Sequence, residues 1–154
     1  MSSHKGTLFL IPTPIGNLED MTYRAVRTLQ EVDVIAAEDT RHTGVLLQHF
    51  NIAKPMISYH EHNKVEKGAD LIQRLLDGQS IGLVSDAGMP AISDPGEDLV
   101  KEALEVGIPI VPLPGANAGL TALIASGQNT KEFHFIGFVT KRKQNAKEVL
   151  SRIA

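Results

Sequence analysis

Short apolar runs recur along the chain and are separated by segments of mixed polarity. The runs are continuous rather than alternating, which is typical of strands whose two faces are both covered. Such strands belong to parallel sheets more often than to antiparallel ones. We predict strands at 7–12, 34–39, 55–60, 80–86, 107–115 and 132–138.

The segments between these runs place apolar residues at helical spacing. The first of them has Met21, Ala25, Leu29 and Val32 on one face, and Asp20 is its expected N-cap. Strands that alternate with helices indicate an α/β fold, with a mainly parallel sheet flanked by helices. Further helices are predicted at 41–50, at 64–78, from Glu97 onward and at 117–126.

Three loops that follow predicted strands are rich in proline and glycine. They are PTPIGN (12–17), SDAGMPAISDPG (85–96) and PLPGANAG (112–119). Glycine lets a backbone approach a ligand closely, and proline stiffens a loop in advance. Ligands of parallel sheets bind where the strands end, so the three loops together predict a preformed ligand cradle. Any one of them alone would equally suit a tight turn.

The loops lack the common nucleotide-binding and hydrolase motifs. The chain contains no G-x-G-x-x-G, no G-x-x-x-x-G-K-[ST] and no G-x-S-x-G. His60 and His62 are two residues apart, which is not the i, i+4 spacing of metal ligands on a helix. We therefore expect no metal site, and we interpret HEHN (60–63) as a polar cluster or a solvated turn.

Composition and charge restrict the possible classes of protein. The 154 residues include no cysteine, which excludes disulfides and thiolate chemistry and fits a cytoplasmic protein. No apolar run reaches the 18 or so residues of a membrane-spanning helix. The net charge of −3 is uneven, because residues 137–154 carry +4 and the preceding residues −7. The basic end is either a solvated helix or a surface that faces phosphates.

Four linked motifs carry a specific resemblance. PTPIGNL, AAEDTRHTG, SDAG-P-I-DPG and PLPG closely resemble those of the ribosomal RNA small subunit methyltransferase I family, which belongs to the tetrapyrrole (corrin/porphyrin) methylase superfamily. The resemblance runs from about Gly6 to Phe138. It implies methylation of the 2′-hydroxyl of a cytidine ribose in small-subunit (16S) ribosomal RNA, with S-adenosyl-L-methionine (SAM) as cofactor. It also implies a cytoplasmic homodimer without a membrane anchor.

The resemblance implies a tetrapyrrole-methylase-like, non-Rossmann fold of two α/β domains, with SAM in the cleft between them. Members of the family are nearly twice as long as this chain. We therefore predict an N-terminal methylase domain at 1–115. Residues 116–154 are expected to be the beginning of a second domain, truncated in this sequence.

Carried over by motif, the cofactor is expected to lie against the three loops. Met89 stands where the wider superfamily has an aspartate, so its contact is expected through the backbone. Asp86 either receives a polar group of the cofactor or substrate, or caps its own turn. The expected cofactor-binding residues are Ile15, Ser85, Asp86, Ala87, Gly88, Met89, Pro90, Ile92, Gly115 and Ala116.

Transfer of a methyl group to a hydroxyl also benefits from a nearby base. Asp39 and His42 are candidates for this base, as are His60 and Glu61, and each is equally explained by ordinary loop hydrogen bonding. Arg41 suits recognition of phosphate or ribose. Asp94 is expected to N-cap the next helix, with Pro95 as its first residue.

Two other functions remain possible from the sequence. One is methylation of a small tetrapyrrole by the same fold, against which the motifs PTPIGN and EDTRHTG speak because they characterise the RNA-acting branch. The other is a catalytically silent, truncated domain that only binds RNA or a second copy.

Overall fold

The computed structural model describes residues 4–139 and 142–154, and its centre is one five-stranded sheet. The strands lie in the order β3-β2-β4-β1-β5, and every neighbouring pair is parallel. The α/β fold and parallel sheet predicted from the sequence are confirmed. The strands are β1 (Leu8–Leu10), β2 (Val34–Ala37), β3 (Met56–Ser58), β4 (Ile81–Val84) and β5 (Ile110–Pro112).

Helices cover both faces of the sheet, as continuous apolar strands require. On β2, Val34 and Ala36 belong to one buried cluster and Ile35 and Ala37 to the other. The first cluster includes residues of α3 and α4, and the second includes residues of α1 and α2. The helices are α1 (Tyr23–Glu31), α2 (Thr40–His49), α3 (Lys64–Leu76), α4 (Gly96–Glu105), α5 (Ala118–Ala125) and α6 (Lys143–Ile153).

The N-terminus of α1 differs from the prediction. The N-cap is Thr22, whose hydroxyl accepts a 3.0 Å hydrogen bond from the amide of Ala25, so the assignment of Asp20 was wrong. Asp20 lies in a short 3-10 turn, Leu18–Asp20, that is itself capped by Asn17. The chain therefore turns once more before the helix begins, and Thr22 stands at the correct spacing from Ala25.

The strand predicted at 132–138 is also wrong. Residues 131–139 form no regular element, and all of them are exposed. Gly137 has a φ of +72°, which interrupts an extended backbone. An apolar run becomes a strand only beside a free sheet edge, and the structure pairs this run with no strand.

The described residues after Leu113 contribute nothing to the core. Among the residues that the structure describes, Leu113 is the last buried one, and those from 114 onward are half-buried or exposed. α5 therefore exposes Ile124 at 75%, and the irregular segment that follows it exposes Phe135 and Phe138 at 71% and 82%. The domain boundary at 115 stays a prediction. Lys141 of the basic end lies outside the described residues, which include no helix long and apolar enough to cross a membrane.

Candidate active site

The first and middle loops are joined at the carboxyl edge of the sheet. β1 and β4 are neighbouring strands, so the loops that follow them start side by side. The amide of Thr13 donates to the carbonyl of Gly88, and the amide of Gly88 donates back to Thr13, both at 3.0 Å. The Thr13 hydroxyl also donates to the carbonyl of Ser85, at 3.4 Å. These bonds fix two of the three predicted cradle loops to each other.

The third loop closes onto the other two at two glycines. Gly88 has a φ of +75°, and a Cβ built on it would lie 3.3 Å from Ile15 Cγ2 and 3.6 Å from the carbonyl oxygen of Ala116. A Cβ on Gly115 would lie only 2.6 Å from Pro12 Cβ. Neither position has room for a side chain without displacement. The three loops that the sequence selected therefore meet at one place.

Ser85 and Met89 are held inside the middle loop by side-chain contacts. The buried Ser85 hydroxyl lies 3.1 Å from the carbonyl oxygen of Ala87 and 3.4 Å from that of Gly88. The side-chain amide of Asn117 donates to the sulfur of Met89 at 3.6 Å, which ties the middle loop to the third. Asn117 also N-caps α5, by accepting a bond from the amide of Leu120.

Strained backbone follows Pro90. Ala91 and Ser93 have φ values of +67° and +57°, a region that side-chain-bearing residues rarely adopt. The carboxylate of Asp94 accepts bonds from the amide of Ala91, at 3.1 Å to each oxygen, and from the amide of Gly96 at 2.8 Å. Asp94 thus anchors the loop. Because burial outweighs the bonds from these amides, the pKa of its carboxyl is raised from 3.8.

The predicted N-terminus of α4, with Asp94 as N-cap and Pro95 as the first helical residue, was wrong by one residue. The helix begins at Gly96, and Pro95 occupies the N-cap rather than the first helical position. Pro95 offers no side-chain acceptor, so no cap bond forms there. Asp94 still satisfies the amide of Gly96, one residue further out than predicted.

A second set of polar residues follows β2 at the same edge. Asp39 is the N-cap of α2, and its Oδ1 accepts from the amides of Arg41 at 3.0 Å and His42 at 3.4 Å. His42 Nε2 lies 2.9 Å from the backbone carbonyl oxygen of Asp86. A carbonyl oxygen only accepts, so Nε2 carries the hydrogen, and in the neutral ring the lone pair is then on Nδ1. The side chain of Arg41 is exposed.

Glu38 is the half-buried carboxylate of this edge. Desolvation raises the pKa of its side chain above the ordinary 4.5, and the nearby charges of Asp86 and Asp94 raise it further. His60 opposes the shift but does not cancel it. Glu38 therefore retains a proton to higher pH than an ordinary glutamate, in the part of the site where Asp86 contacts His42.

The histidines after β3 form a turn. The amide of His60 donates to Asn63 Oδ1 at 2.8 Å, and the amide of His62 donates to His60 Nδ1 at 3.2 Å. Glu61 pairs with Lys64 at 2.8 Å. Within 4–139 and 142–154, no three His, Asp or Glu side chains are grouped so as to hold a metal ion.

One face of α2 was not recognised from the sequence. The helix buries Thr43 and Leu47, but His42, Val45, Leu46 and His49 line a cavity of about 340 Å³. The sequence could have indicated this face, because positions 42, 45, 46 and 49 have the spacing of one helical face. That face does not pack against the core. The other lining residues are Thr13, Pro14, Gly16, Leu18 and Asp86.

The fold and the glycine-rich edge define a class of protein. The sequence profile of the Tetrapyrrole (Corrin/Porphyrin) Methylases matches residues 7–154. The chain therefore belongs to the tetrapyrrole (corrin/porphyrin) methylase family.

Within that family, its curated relatives carry a more specific name. The chain is 60% identical to "Ribosomal RNA small subunit methyltransferase I" of Halalkalibacterium halodurans, over 95% of this chain and 50% of the relative. The protein of the same name from Bacillus subtilis is 54% identical, over 98% of this chain and 52% of its own length. These relatives confirm the resemblance seen in the motifs. The chain spans about half the length of the curated relatives it matches.

Solved structures with low sequence identity share the fold. Uroporphyrin-III-C-methyltransferase from Thermus thermophilus superposes with a TM-score of 0.61 at 23% identity, over 80% of this chain and 54% of that one. The protein APE0931 from Aeropyrum pernix superposes with a TM-score of 0.66 at 18% identity, over 84% and 46%. At these identities the likeness extends to the fold alone.

Proposed function

We propose that this chain is part of a SAM-dependent methyltransferase that modifies the 2′-hydroxyl of a cytidine ribose in small-subunit (16S) ribosomal RNA. The observation that carries the proposal is the convergence of the three loops that match the methylase motifs. The names of the relatives support the choice of ribosomal RNA. Because the chain spans only about half of them, the activity is proposed for the complete protein.

The residues of the cradle suit a cofactor with a methionine-like part and a nucleoside. Ile15 and Ile92 expose 37% and 45% of their surface beside closely packed backbone. A Cβ on Gly16 would meet no atom within 4 Å, so the first loop borders open space. Sites for such ligands combine apolar contacts with a few polar backbone groups. We propose that Ser85–Gly88, Met89, Pro90, Ile92, Gly115 and Ala116 hold SAM together with Ile15.

Bound SAM supplies a methyl group on a positively charged sulfur, which leaves as a neutral thioether. The protein must then bring the ribose hydroxyl into line with that methyl group and accept its proton as the new carbon–oxygen bond forms. We assign the proton to Nδ1 of His42, because its Nε2 is engaged by the carbonyl of Asp86. The bond to Asp86 also orients the ring towards the middle loop.

In this proposal, Asp39 and Arg41 do not accept the proton and have other roles. Oδ1 of Asp39 already accepts two backbone amides, so Asp39 positions the first turn of α2 on which His42 stands. The exposed guanidinium of Arg41 is suited to the phosphate beside the target ribose. His60 and Glu61, engaged in a turn and an ion pair, have no part in proton transfer.

The test is methyl transfer by the product of the complete gene. Small ribosomal subunits, naked 16S ribosomal RNA and uroporphyrinogen would each be incubated with methyl-labelled SAM, followed by nuclease digestion. We expect label on a 2′-O-methylcytidine from RNA or subunits. A His42→Ala variant should lose that label while its SAM affinity, measured by calorimetry, is retained. Label on the tetrapyrrole alone would establish the rival enzyme, and no label on any substrate would favour a silent binding domain.

The working protein is also proposed to be a cytoplasmic homodimer. The support is the resemblance of its motifs to the ribosomal RNA small subunit methyltransferase I family, which implies a homodimer. Sedimentation of the complete protein at several concentrations tests it, and a monomer at every concentration would contradict it.

A further inference from the structure

The cavity on α2 is a candidate binding site that adjoins the cradle and shares residues with its first and middle loops. Its volume of about 340 Å³ lies at the small end of the roughly 300–1,000 Å³ range of ligand pockets. It borders the cradle, since Thr13 and Asp86 belong both to its wall and to the joined loops. Ile15 points at Gly88, whereas its neighbours Pro14 and Gly16 line the cavity.

The walls are mainly apolar and aromatic, and Asp86 is the one carboxylate among the lining residues that the structure describes. Val45 and Leu18 expose 70% and 43% of their surface and contribute nothing to the core. Two imidazoles, of His42 and His49, stand two helical turns apart on the same face. Among the residues that the structure describes, no lysine or arginine lines the cavity, so no permanent positive charge there would select a phosphate.

Both imidazole rings are held in place. His42 is fixed by the carbonyl oxygen of Asp86 at 2.9 Å. His49 packs edge to face on Phe50, with ring centroids 4.9 Å apart and planes at 84°, and Phe50 itself packs against the core. The rings can therefore present flat surfaces and ring nitrogens to a ligand at little entropic cost.

We infer that this cavity receives the unstacked base of the nucleotide whose ribose is methylated, or of its immediate neighbour. A base is planar and apolar on its faces and has polar edges, which matches apolar walls with a few ring nitrogens. Proteins read single-stranded RNA by stacking splayed bases on aromatic side chains, histidine included. The cavity lies beside the cradle, so a base held there leaves its own ribose near the methyl donor. The inference rests on the proposed function for the choice of RNA.

The test is made on the protein without cofactor, by NMR of the histidine side chains. Cytidine 5′-monophosphate and ribose 5-phosphate are titrated separately, since they differ only in the base. We expect saturable shifts of the His42 and His49 ring signals with cytidine 5′-monophosphate, and none with ribose 5-phosphate at the same concentration. Equal shifts with both would show phosphate recognition and would overturn the inference. The absence of shifts with either would overturn it as well.

A matched pair of variants locates the site. Val45 and Val65 are both exposed helical valines, at 70% and 83%, but only Val45 lines this cavity. Both changes to glutamate add the same charge. We expect Val45→Glu to weaken cytidine 5′-monophosphate binding by roughly tenfold or more, the effect of losing one stacked base, and Val65→Glu to leave it unchanged. Equal losses in both variants would mean that general repulsion, not this cavity, decides binding.

The outcome of the base-binding assay can be distinguished from the outcome of the methylation test. Base binding in this assay needs neither SAM nor methyl transfer, so it can succeed in a protein that methylates nothing. Conversely, methylation of 16S ribosomal RNA without cytidine 5′-monophosphate binding would leave the proposed function standing and remove the inference. Binding of an octanoate probe with no response to the nucleotide would assign the cavity to an acyl chain, and would also overturn it.

Discussion

His42 Nε2 and the backbone carbonyl oxygen of Asp86 lie 2.9 Å apart, although His42 belongs to α2 and Asp86 to the middle loop. This contact connects the first turn of α2 to the middle loop. It sets which ring nitrogen of His42 carries the hydrogen, and so which nitrogen can accept a proton. A residue chosen from a motif for its chemistry therefore also joins two segments of the candidate site.

Asp39 provides a test between capping and catalysis. Asparagine caps a helix about as well as aspartate, whereas alanine costs about 1 kcal/mol. We expect Asp39→Asn to keep both the melting temperature and the methylation rate, and Asp39→Ala to lose stability. If Asp39 were the base, Asp39→Asn would remain stable but lose about 10²–10⁴-fold in rate. Thermal melting and single-turnover methylation of the complete protein separate the two roles.

Gly88 and Gly127 form a matched pair for the cradle. Both have a φ of +75°, but a Cβ on Gly127 would meet no atom within 4 Å. Alanine at either position carries the same left-handed backbone penalty of about 1–2 kcal/mol. We expect only Gly88→Ala to weaken SAM binding, because it pushes Ile15 and Ala116 apart. Calorimetric titration of both variants of the complete protein measures this, and equal affinities would remove the middle loop from the site.

The left-handed backbone at Ala91 predicts an unusual response to glycine. Glycine adopts a φ of +67° without strain, so Ala91→Gly relieves the backbone strain of the folded state. This gain offsets the larger conformational entropy that glycine gives to the unfolded chain. We expect its stability to be close to that of the parent. Ala69→Gly, at an exposed position inside α3, should instead cost about 1 kcal/mol. Equal losses in urea unfolding would show that Ala91 is not strained.

Glu38 predicts a dependence of stability on pH. Its pKa is raised in the folded protein, so its contribution is complete below about 4.5 and is lost as the pH rises through the folded value. We therefore expect Glu38→Gln to melt at a higher temperature than the parent at pH 7, with the gain disappearing near pH 4. Glu132→Gln, in an exposed segment, serves as the control and should show no such trend.

The 154-residue chain by itself should fold but bind SAM weakly. The described core ends at Leu113, whereas large apolar side chains beyond it, such as Ile124 and Phe138, are exposed. A pocket that loses some 100 Å² of apolar contact loses about 2.5 kcal/mol, which is more than tenfold in affinity. Calorimetry should show this loss relative to the Bacillus subtilis relative, and sedimentation should show oligomers. Tight binding by a monomeric chain would contradict both expectations.

The sequence predicted the elements well where a single physical rule decides the outcome. The run at 80–86 became β4 because its centre, Ile81–Val84, is apolar and lies between two other strands. The run at 132–138 also has an apolar centre, but such a run forms a strand only where another strand accepts it. Sequence periodicity carries no information about that partner.

The sequence predicted the loops of the candidate site, but it did not predict that one face of α2 lines a cavity beside them. Proline and glycine identify the three loops because few other residues suit their backbone angles, as Gly88 illustrates. The cavity beside α2 depends on which helical face the core leaves uncovered. That choice follows from how α2 packs on the sheet, so His49 and Val45 were passed over in favour of the motif residues before them.

The order of the strands has a consequence for synthesis on the ribosome. β2 and β3 are neighbours in sequence and in space, so they can pair early. β1 emerges first, yet Leu8 pairs with Ile81 on one side and with Ile110 on the other. The N-terminal strand and the loop that follows it therefore wait, unpaired, until nearly the whole domain has been translated. Long-range pairing of this kind slows folding and leaves apolar segments exposed in the meantime. We therefore expect the cradle to be among the last parts of the domain to assemble, with the apolar residues of β1 exposed on the nascent chain until then.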